Sequence, residues 1–417
     1  MTATVTSDEL RYRIDGLSPG SVERPATVAE VEEVLGSARD DGLAVAPVGG
    51  GGALHLGNPL ERYDVALDMR GVDRVLDHQP TDLVLSVQAG VTIAEITELL
   101  RRHGQWLPVE APNPERATIG GLIATALSGP GRHVHGSLRD NLIGISVASA
   151  AGGVAKAGGM VVKNVSGFDL MRLHHGALGT LGVIVSANFK VLPSPQAEAT
   201  VVVEAADVAH GLSFIQTSEG HSNRPSVAVL RRSGAGAAEV AIRYSGRQSA
   251  VAAAARDVAS GLGQSARVVS GDESSAWWRT WVDRLELGED PDGKDPNVEI
   301  RLGVVPGRTG EIAAAVDAST AQNDISVQRL DIWPQLGHVI IRLDGLLGSA
   351  ASAAIDTLVG IADGLGATWR ITRAPAEVKV GRDVWGRPPA GLDIIRRLKQ
   401  EFDPGRTLNP GRFCGHL

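Results

Sequence analysis

Cysteine is almost absent: Cys414 is the one thiol in 417 residues. That excludes an internal disulfide and suits a reducing compartment. It also excludes a four-cysteine iron–sulfur cluster held by this chain alone. Long hydrophobic runs are missing as well. The most apolar stretch, Leu142 to Val162, is broken by Lys156 and two Gly-Gly pairs, so it is no spanning helix of ~20 residues. The first ten residues have neither a basic n-region nor an apolar h-region, and no secretory signal is predicted. The expected location is cytoplasmic, or peripheral to the inner membrane through partners. Basic runs are absent and the formal net charge is −8, which argues against nucleic acid as a partner.

Familiar nucleotide and metal signatures are missing too. The one Gly-Lys pair, Gly293-Lys294, precedes aspartate, so there is no P-loop. Gly176, Gly179 and Gly182 are spaced by three, unlike the dinucleotide fingerprint. The eleven histidines include no His-x-x-His, and no metal site is expected.

What is present is glycine, 51 residues, dense between Gly49 and Gly182. Hydrophobic and charged fractions of 43% and 21% are those of an ordinary globular protein, and the length implies two or three domains. Pro47-Val48-Gly49-Gly50-Gly51-Gly52-Ala53 leaves a strand predicted at Leu43–Ala46, with Pro47 ending it. Exposed amides in such a loop form a nest suited to phosphate. Thr27 and Glu30, then Thr92 and Glu95, form capping boxes that open two amphipathic helices. Strand–helix units of this kind predict an α/β or α+β first domain. From Ala199 to Arg373 two βαββαβ sets follow each other, each in the order of a ferredoxin-like unit. Trp277, Trp278 and Trp281 lie between them at helical spacing, fitting core packing or an interface.

Further glycine segments are Ala111-Pro112-Asn113, Thr118-Ile119-Gly120-Gly121, Gly136-Ser137-Leu138-Arg139-Asp140, Lys163–Leu170 and Gly179–Ile184; the tail reads Phe402–Arg412 with Asn409 inside it. In this order they resemble the vanillyl-alcohol oxidase superfamily, also called the p-cresol methylhydroxylase type. Within it they are most similar to the E subunit of bacterial glycolate oxidase. The resemblance covers about residues 25–195 and 375–412 and implies three parts: an FAD-binding domain (1–195), a cap (196–373) and a tail (374–417) returning to the FAD domain. It implies that Gly49, Gly50, Gly51 and Gly52, flanked by Pro47 and Ala53, cradle the pyrophosphate. Pro112, Thr118, Ile119, Gly120 and Gly121 would lie toward the flavin, with Gly136 and Asp140 shaping the same pocket. Gly182 and Ile184 would meet the adenosine part, and Asn409 would return to the flavin. Gly52 stands where the family usually has threonine or serine.

The implied protein is an oxidoreductase subunit with noncovalent FAD, a D-type flavoprotein and an iron–sulfur subunit as partners, and a small 2-hydroxy acid as substrate. A stand-alone FAD enzyme for an alcohol or sugar acid, and a non-catalytic scaffold subunit, are the rival readings. His55 and Cys414 are weak attachment residues. Oxidising a hydroxy acid needs a base and a cation for the carboxylate. His174 and His175 are candidate bases. Arg370 and Arg373 are candidate clamps, and strand alternation places Arg373 beside Trp369 and Ile371, opposite Arg370.

Overall fold

The computed structural model describes residues 10–160, 169–221, 223–263, 265–283 and 297–417. Lys163–Phe168 of the fourth glycine segment and the Glu289–Pro296 loop lie outside these. The N-terminal part, through Pro193, has two small sheets. The first is parallel, in order β1 (Ser21–Glu23), β3 (Val65–Asp68), β2 (Val45–Val48), covered by α1 (Val28–Asp40). The second has order β4 (Val75–Gln79), β5 (Val84–Gln88), β9 (Val183–Lys190), β7 (Leu142–Ala148), β8 (Val154–Gly158). On it pack α2 (Ile93–Arg101) and α3 (Ile119–Thr125) through Ile93, Ile96, Ile119 and Ile123, all 3% exposed or less. β6 (Gln105–Trp106) pairs with β10 (Leu192–Pro193) beside it.

The Thr92 capping box forms in full: Thr92 accepts from the Glu95 amide and Glu95 from the Thr92 amide. At the first helix Thr27 accepts from Glu30, but the Glu30 carboxylate turns to the Ala26 amide, one residue earlier. Pro47 does not end its strand. β2 runs through it to Val48, with Pro47 opposite Leu67. β2 lies at the edge of its sheet, where a missing N–H costs no ladder bond. Beyond that edge only Val45 is used, bonding Thr407 O at 2.7 Å and Asn409 N at 2.9 Å as the tail returns.

The cap is one antiparallel sheet of eight strands, β14-β11-β13-β12-β16-β17-β15-β18. Its strands are β11 (Ala197–Ala205), β12 (Val227–Ser233), β13 (Ala238–Gly246), β14 (Arg267–Ser270), β15 (Val298–Gly303), β16 (Val327–Trp333), β17 (His338–Leu343) and β18 (Thr368–Arg373). Each repeat contributes its four strands in the ferredoxin-like order, and the halves join in mirror order at β12–β16. Helices α4 (Val208–Glu219), α5 (Gln248–Leu262), α7 (Thr309–Gln322) and α8 (Gly348–Gly364) close the core on one face. On the other face α6 (Asp272–Asp283) seats Trp278 and Trp281 on Val227, Val229 and Ala241. Trp278 donates to Thr200 Oγ1 at 2.8 Å, and Arg231 and Arg243 stack on the two rings. These tryptophans are core. Among the described residues no helix is long and apolar enough to cross a membrane.

Candidate functional site

The glycine loop leaves β2 and runs along a cleft between the two small sheets and the tail. Pro47, Gly49–Gly52, Ala53, Pro112, Thr118, Gly121 and Asn409 line it, joined by Arg116 and Arg412. A second cleft of about 380 Å³ shares Pro47, Gly49, Thr118 and Gly121 with the first and continues past Gly120, Gly182 and Ile184. The two form one continuous tract, polar at the loop and apolar where Met69, Ala89 and Val183 line it.

The loop is shaped by neighbours. Arg116 Nη2 donates to Gly50 O at 3.0 Å. A Cβ on Gly50 would overlap the Arg116 carbonyl oxygen, and one on Gly49 the Thr118 hydroxyl. The amides of Gly50, Gly51, Gly52 and Ala53 donate to no acceptor among the described residues, so the loop lining the cleft keeps four unspent donors. The start of α3 behaves differently. Ile119 N bonds Val91 O and Gly120 N bonds Ala89 O, both at 2.9 Å, while Thr118 Oγ1 accepts from Gly121 N. Those amides are spent within the protein, which leaves the Thr118 hydroxyl proton as the donor there. The Ile119 side chain is fully buried in the core of the second sheet.

The tail completes the wall. Asn409 Nδ2 donates to Leu178 O at 2.6 Å, while its Oδ1 is buried without a partner. Arg412 Nη2 reaches Leu54 O at 2.7 Å and also Leu56 O, and its Nη1 is unpaired. Four open amides on the loop that lines the cleft are what a pyrophosphate would satisfy. The residues present fit FAD.

Gly136 and Asp140 lie elsewhere. Asp140 caps the short helix Leu138–Asn141, accepting from Ser137 N at 2.7 Å and Ser137 Oγ at 2.8 Å. Gly136 lines a separate cleft of about 310 Å³ between the domains, with Glu110, Arg132 and Arg243. There the Arg243–Glu110 ion pair, at 2.6 Å, ties the cap to the FAD domain. His174 and His175 line none of these clefts. His174 is buried edge-on against Phe402, with ring centroids 5.9 Å apart, and burial pushes its pKa down to about 4. Burial, then Arg139, lowers that of His175.

The His174 shift has a measurable consequence. A folded pKa near 4, below the unfolded ~6.5, means only the unfolded chain takes up this proton between those values, so stability falls as pH falls. His174→Gln, which cannot titrate, is expected to lose about 2 kcal/mol less than wild type between pH 7 and pH 5 in urea melts. Parallel losses in the two proteins would show that His174 is not the proton-linked group.

The cap sheet turns a polar face toward the FAD domain, and its register sets out three rows. Arg329, Arg342, Glu299 and Arg373 lie side by side, then Asp331, Ile340, Arg301 and Arg370, then Trp333, His338, Gly303 and Thr368. The alternation expected for β18 is broken by a bulge opposite Glu299/Ile300. Ile371 stays opposite Ile300 in the core, whereas Arg373 comes opposite Glu299. Arg373 therefore shares the polar face with Arg370, which corrects the expected separation.

The carboxylates on this face are already engaged. Asp331 pairs with Arg231 at 2.6 Å and Arg329 at 2.8 Å. Glu299 accepts from Thr372 Oγ1 at 2.8 Å and lies 3.5 Å from Arg329. Arg301, Arg342 and Arg370 make no ion pair among the described residues. Burial, then Arg370, draws the Arg301 pKa down to about 9; burial, then Arg301, Arg132 and Arg370, holds His338 at about 3. His55, just past the glycine loop, meets the Arg373–Arg342 end of the face, with its pKa far below the ordinary value through burial and those cations. Sequence reasoning missed Arg116, Arg412, Arg301, Arg342 and His338. For the cap residues a signal existed, since charges at 299 and 301 and at 329 and 331 alternate with core residues.

An α+β chain with an amide cradle at one end of its cleft, an apolar groove at the other and a second sheet domain has the fold of the p-cresol methylhydroxylase type. Residues 19–167 match the family described as FAD binding domain. Over 143 residues the chain is 41% identical to glycolate oxidase subunit GlcE of Escherichia coli, covering 34% of this chain and 40% of that one. It is 32% identical over 208 residues to the mitochondrial cytochrome D-lactate dehydrogenase of Arabidopsis thaliana, 48% of this chain and 36% of that one. Glycolate oxidase subunit GlcD of Bacillus subtilis is 28% identical over 184 residues, 44% and 39% of the two chains. The matches thus span 36–40% of these relatives' length. In fold, the chain is similar to alkyldihydroxyacetonephosphate synthase, with TM-score 0.70 and 18% identity over 94% of this chain and 77% of that one.

Proposed function

We propose that this chain is an FAD-dependent oxidoreductase that oxidises a small 2-hydroxy acid as the E-type subunit of a glycolate oxidase-like complex, beside a D-type flavoprotein and an iron–sulfur subunit. The observation that carries the reading is the cleft lined by the glycine loop, whose four amides find no acceptor among the described residues. The Gly50–Ala53 amides would hold the pyrophosphate, Thr118, Asn409 and Arg412 the polar parts nearer the flavin, and the Met69–Ala89–Ile184 groove the adenosine. FAD bound there supplies the acceptor for the hydride leaving the substrate's carbinol carbon. Arg301 and Arg370 hold the carboxylate. His338, neutral at pH 7, takes the hydroxyl proton, and an anion against its arginine neighbours raises its basicity for that task.

Binding is noncovalent in this reading. Cys414 is buried with its thiol pushed up to about 11, and His55 is enclosed by cations. With one cysteine in the chain, electrons leave through a partner. The test is anaerobic flavin bleaching and dye-linked turnover with glycolate and D-lactate. Slow turnover by the chain alone, rising at least about tenfold with both partners (~1.4 kcal/mol of barrier), is expected. Fast turnover by the isolated chain would make it self-sufficient; no bleaching even in the reconstituted complex would remove the hydroxy-acid reading.

A further inference from the structure

Among the described residues, none from Ala197 to Arg373 lines either cleft of the FAD tract. The cap nevertheless touches the wall of that tract from outside. Asp283, the last residue of α6, accepts from the Asn113 amide at 3.0 Å. Asn113 lines the cleft, as do Pro112, Arg116 and Ala117. It is also the pivot of a tight turn. Its φ is +47°, a left-handed conformation that asparagine adopts more readily than most residues. Its carbonyl accepts from the Arg116 and Ala117 amides, both at 2.9 Å. The far side of the turn is fixed within the FAD domain, because Ala94 N bonds Pro114 O at 3.0 Å and Ile93 N bonds Ala117 O at 2.9 Å. The Asn113 amide, by contrast, takes its acceptor from the cap.

The turn delivers Arg116, and Arg116 sets the glycine loop. Its Nη2 donates to Gly50 O at 3.0 Å, and its carbonyl oxygen occupies the space a Gly50 side chain would need. A line of contacts therefore runs from Asp283 through Asn113 and Arg116 to Gly50, from the cap to the loop with open amides. The cap grips the same segment at a second point. Glu110 accepts from Gly131 N at 2.7 Å and from Arg243 of the cap at 2.6 Å. Arg243 in turn stacks on Trp278 of α6, 4.5 Å from the ring centroid. The tryptophan helix thus holds residues 110–113 at both ends, by its own carboxylate and through Arg243.

We propose that Asp283 is a positioning residue of the FAD site, holding the 110–117 turn from the cap in the shape that lets Arg116 set the glycine loop. This rests on the reading that the loop amides hold the FAD pyrophosphate. The charge of Asp283 makes the sign of its effect informative. A carboxylate behind the wall of a cleft that takes an anion repels that anion. Loss of the charge alone would therefore tighten FAD binding, whereas loss of the anchor weakens it. Coupling between the two sites is also reciprocal, so FAD must steady α6 as much as α6 steadies the cradle.

The test reads binding and exchange, not turnover. The whole chain, freed of flavin, is titrated with FAD by fluorescence and with ADP, which carries the pyrophosphate alone, by calorimetry. Asp283→Ala is expected to bind both about three- to tenfold more weakly, the range of one hydrogen bond. Asp283→Asn keeps an acceptor oxygen without the charge and should stay within about twofold of wild type. Added to Arg116→Met, Asp283→Ala should cost less than about twofold more, because both act through one grip. Circular dichroism of the flavin-free proteins checks that each variant folds. Hydrogen exchange tests the coupling without any variant: FAD should slow exchange in Asp272–Asp283 of the wild type, although that helix lines no part of the tract. Folded Asp283→Ala with unchanged or tighter affinity, a fully additive loss on Arg116→Met, or wild-type exchange that FAD leaves unaltered would each overturn the proposal. Wild-type protein that binds neither FAD nor ADP would instead sink the reading of the cleft itself, and the proposal with it.

Discussion

Gly50→Val is expected to bind FAD about 30- to 100-fold more weakly than wild type while the cap remains folded. A Cβ at this position meets the Arg116 carbonyl oxygen, which is backbone and cannot swing aside. Overpacking of that kind costs about 1–3 kcal/mol, and its upper half corresponds to the stated loss in affinity. The cost falls on the cradle because Arg116 also grips Gly50 O, so the loop and its four open amides move together. Gly120→Val should act similarly, since its Cβ would lie 2.7 Å from the Ala89 Cβ and 3.0 Å from the Ala89 carbonyl. Fluorescence titration of apoprotein with FAD measures the affinity, and circular dichroism monitors the cap. Unchanged affinity in both variants would mean that the loop does not hold the pyrophosphate.

The second large effect is expected at Lys399, on α9 (Leu392–Phe402), in unfolding rather than binding. Its Nζ, buried, donates to Asp403 Oδ2 at 2.6 Å, Thr180 O at 2.8 Å and Leu408 O at 2.9 Å. One ammonium thus joins the tail helix, the strand that extends β2 and the 177–180 turn. Lys399→Met leaves Asp403, itself 1% exposed, without its charge partner, although the Thr407 and Leu408 amides still donate to it. Breaking a buried pair from one side costs about 3–5 kcal/mol, and the remaining amides favour the lower end. Denaturant melts should show that loss. The double variant Lys399→Met/Asp403→Leu should recover part of it, because no buried charge is then stranded; no recovery would mean that the carbonyl contacts, not the ion pair, dominate.

Much of the architecture was legible because its signals are local. The two βαββαβ sets expected between Ala199 and Arg373 are both found, the second with its helix at Thr309–Gln322 and a strand at His338–Leu343. Both follow from apolar periodicity, which a short window contains. Pro47 was misread for the opposite reason: whether a proline breaks a strand depends on whether that strand is at an edge, and pairing order is not a local property. Arg373 was placed on the wrong side because Thr372 is an extra residue of β18 only through pairing with Glu299 and Ile300 on the neighbouring strand, which the sequence of β18 does not contain.

The candidate site divides along the same line. The order of glycine segments marked the residues that line the cleft, since close backbone approach demands glycine whatever lies opposite. The chain alone also determined that no iron–sulfur cluster of four cysteines is possible, and that the cap is a repeated ferredoxin-like unit. The tertiary structure decided what each glycine faces, placing Arg116 against Gly50 and Ala89 against Gly120, and it moved Asp140 from cleft wall to helix cap. Only the sheet register brought Arg301, Arg342 and Arg370 together on one face. Charge balance on a buried face is a sum over strands distant in sequence, and no stretch of one strand contains it.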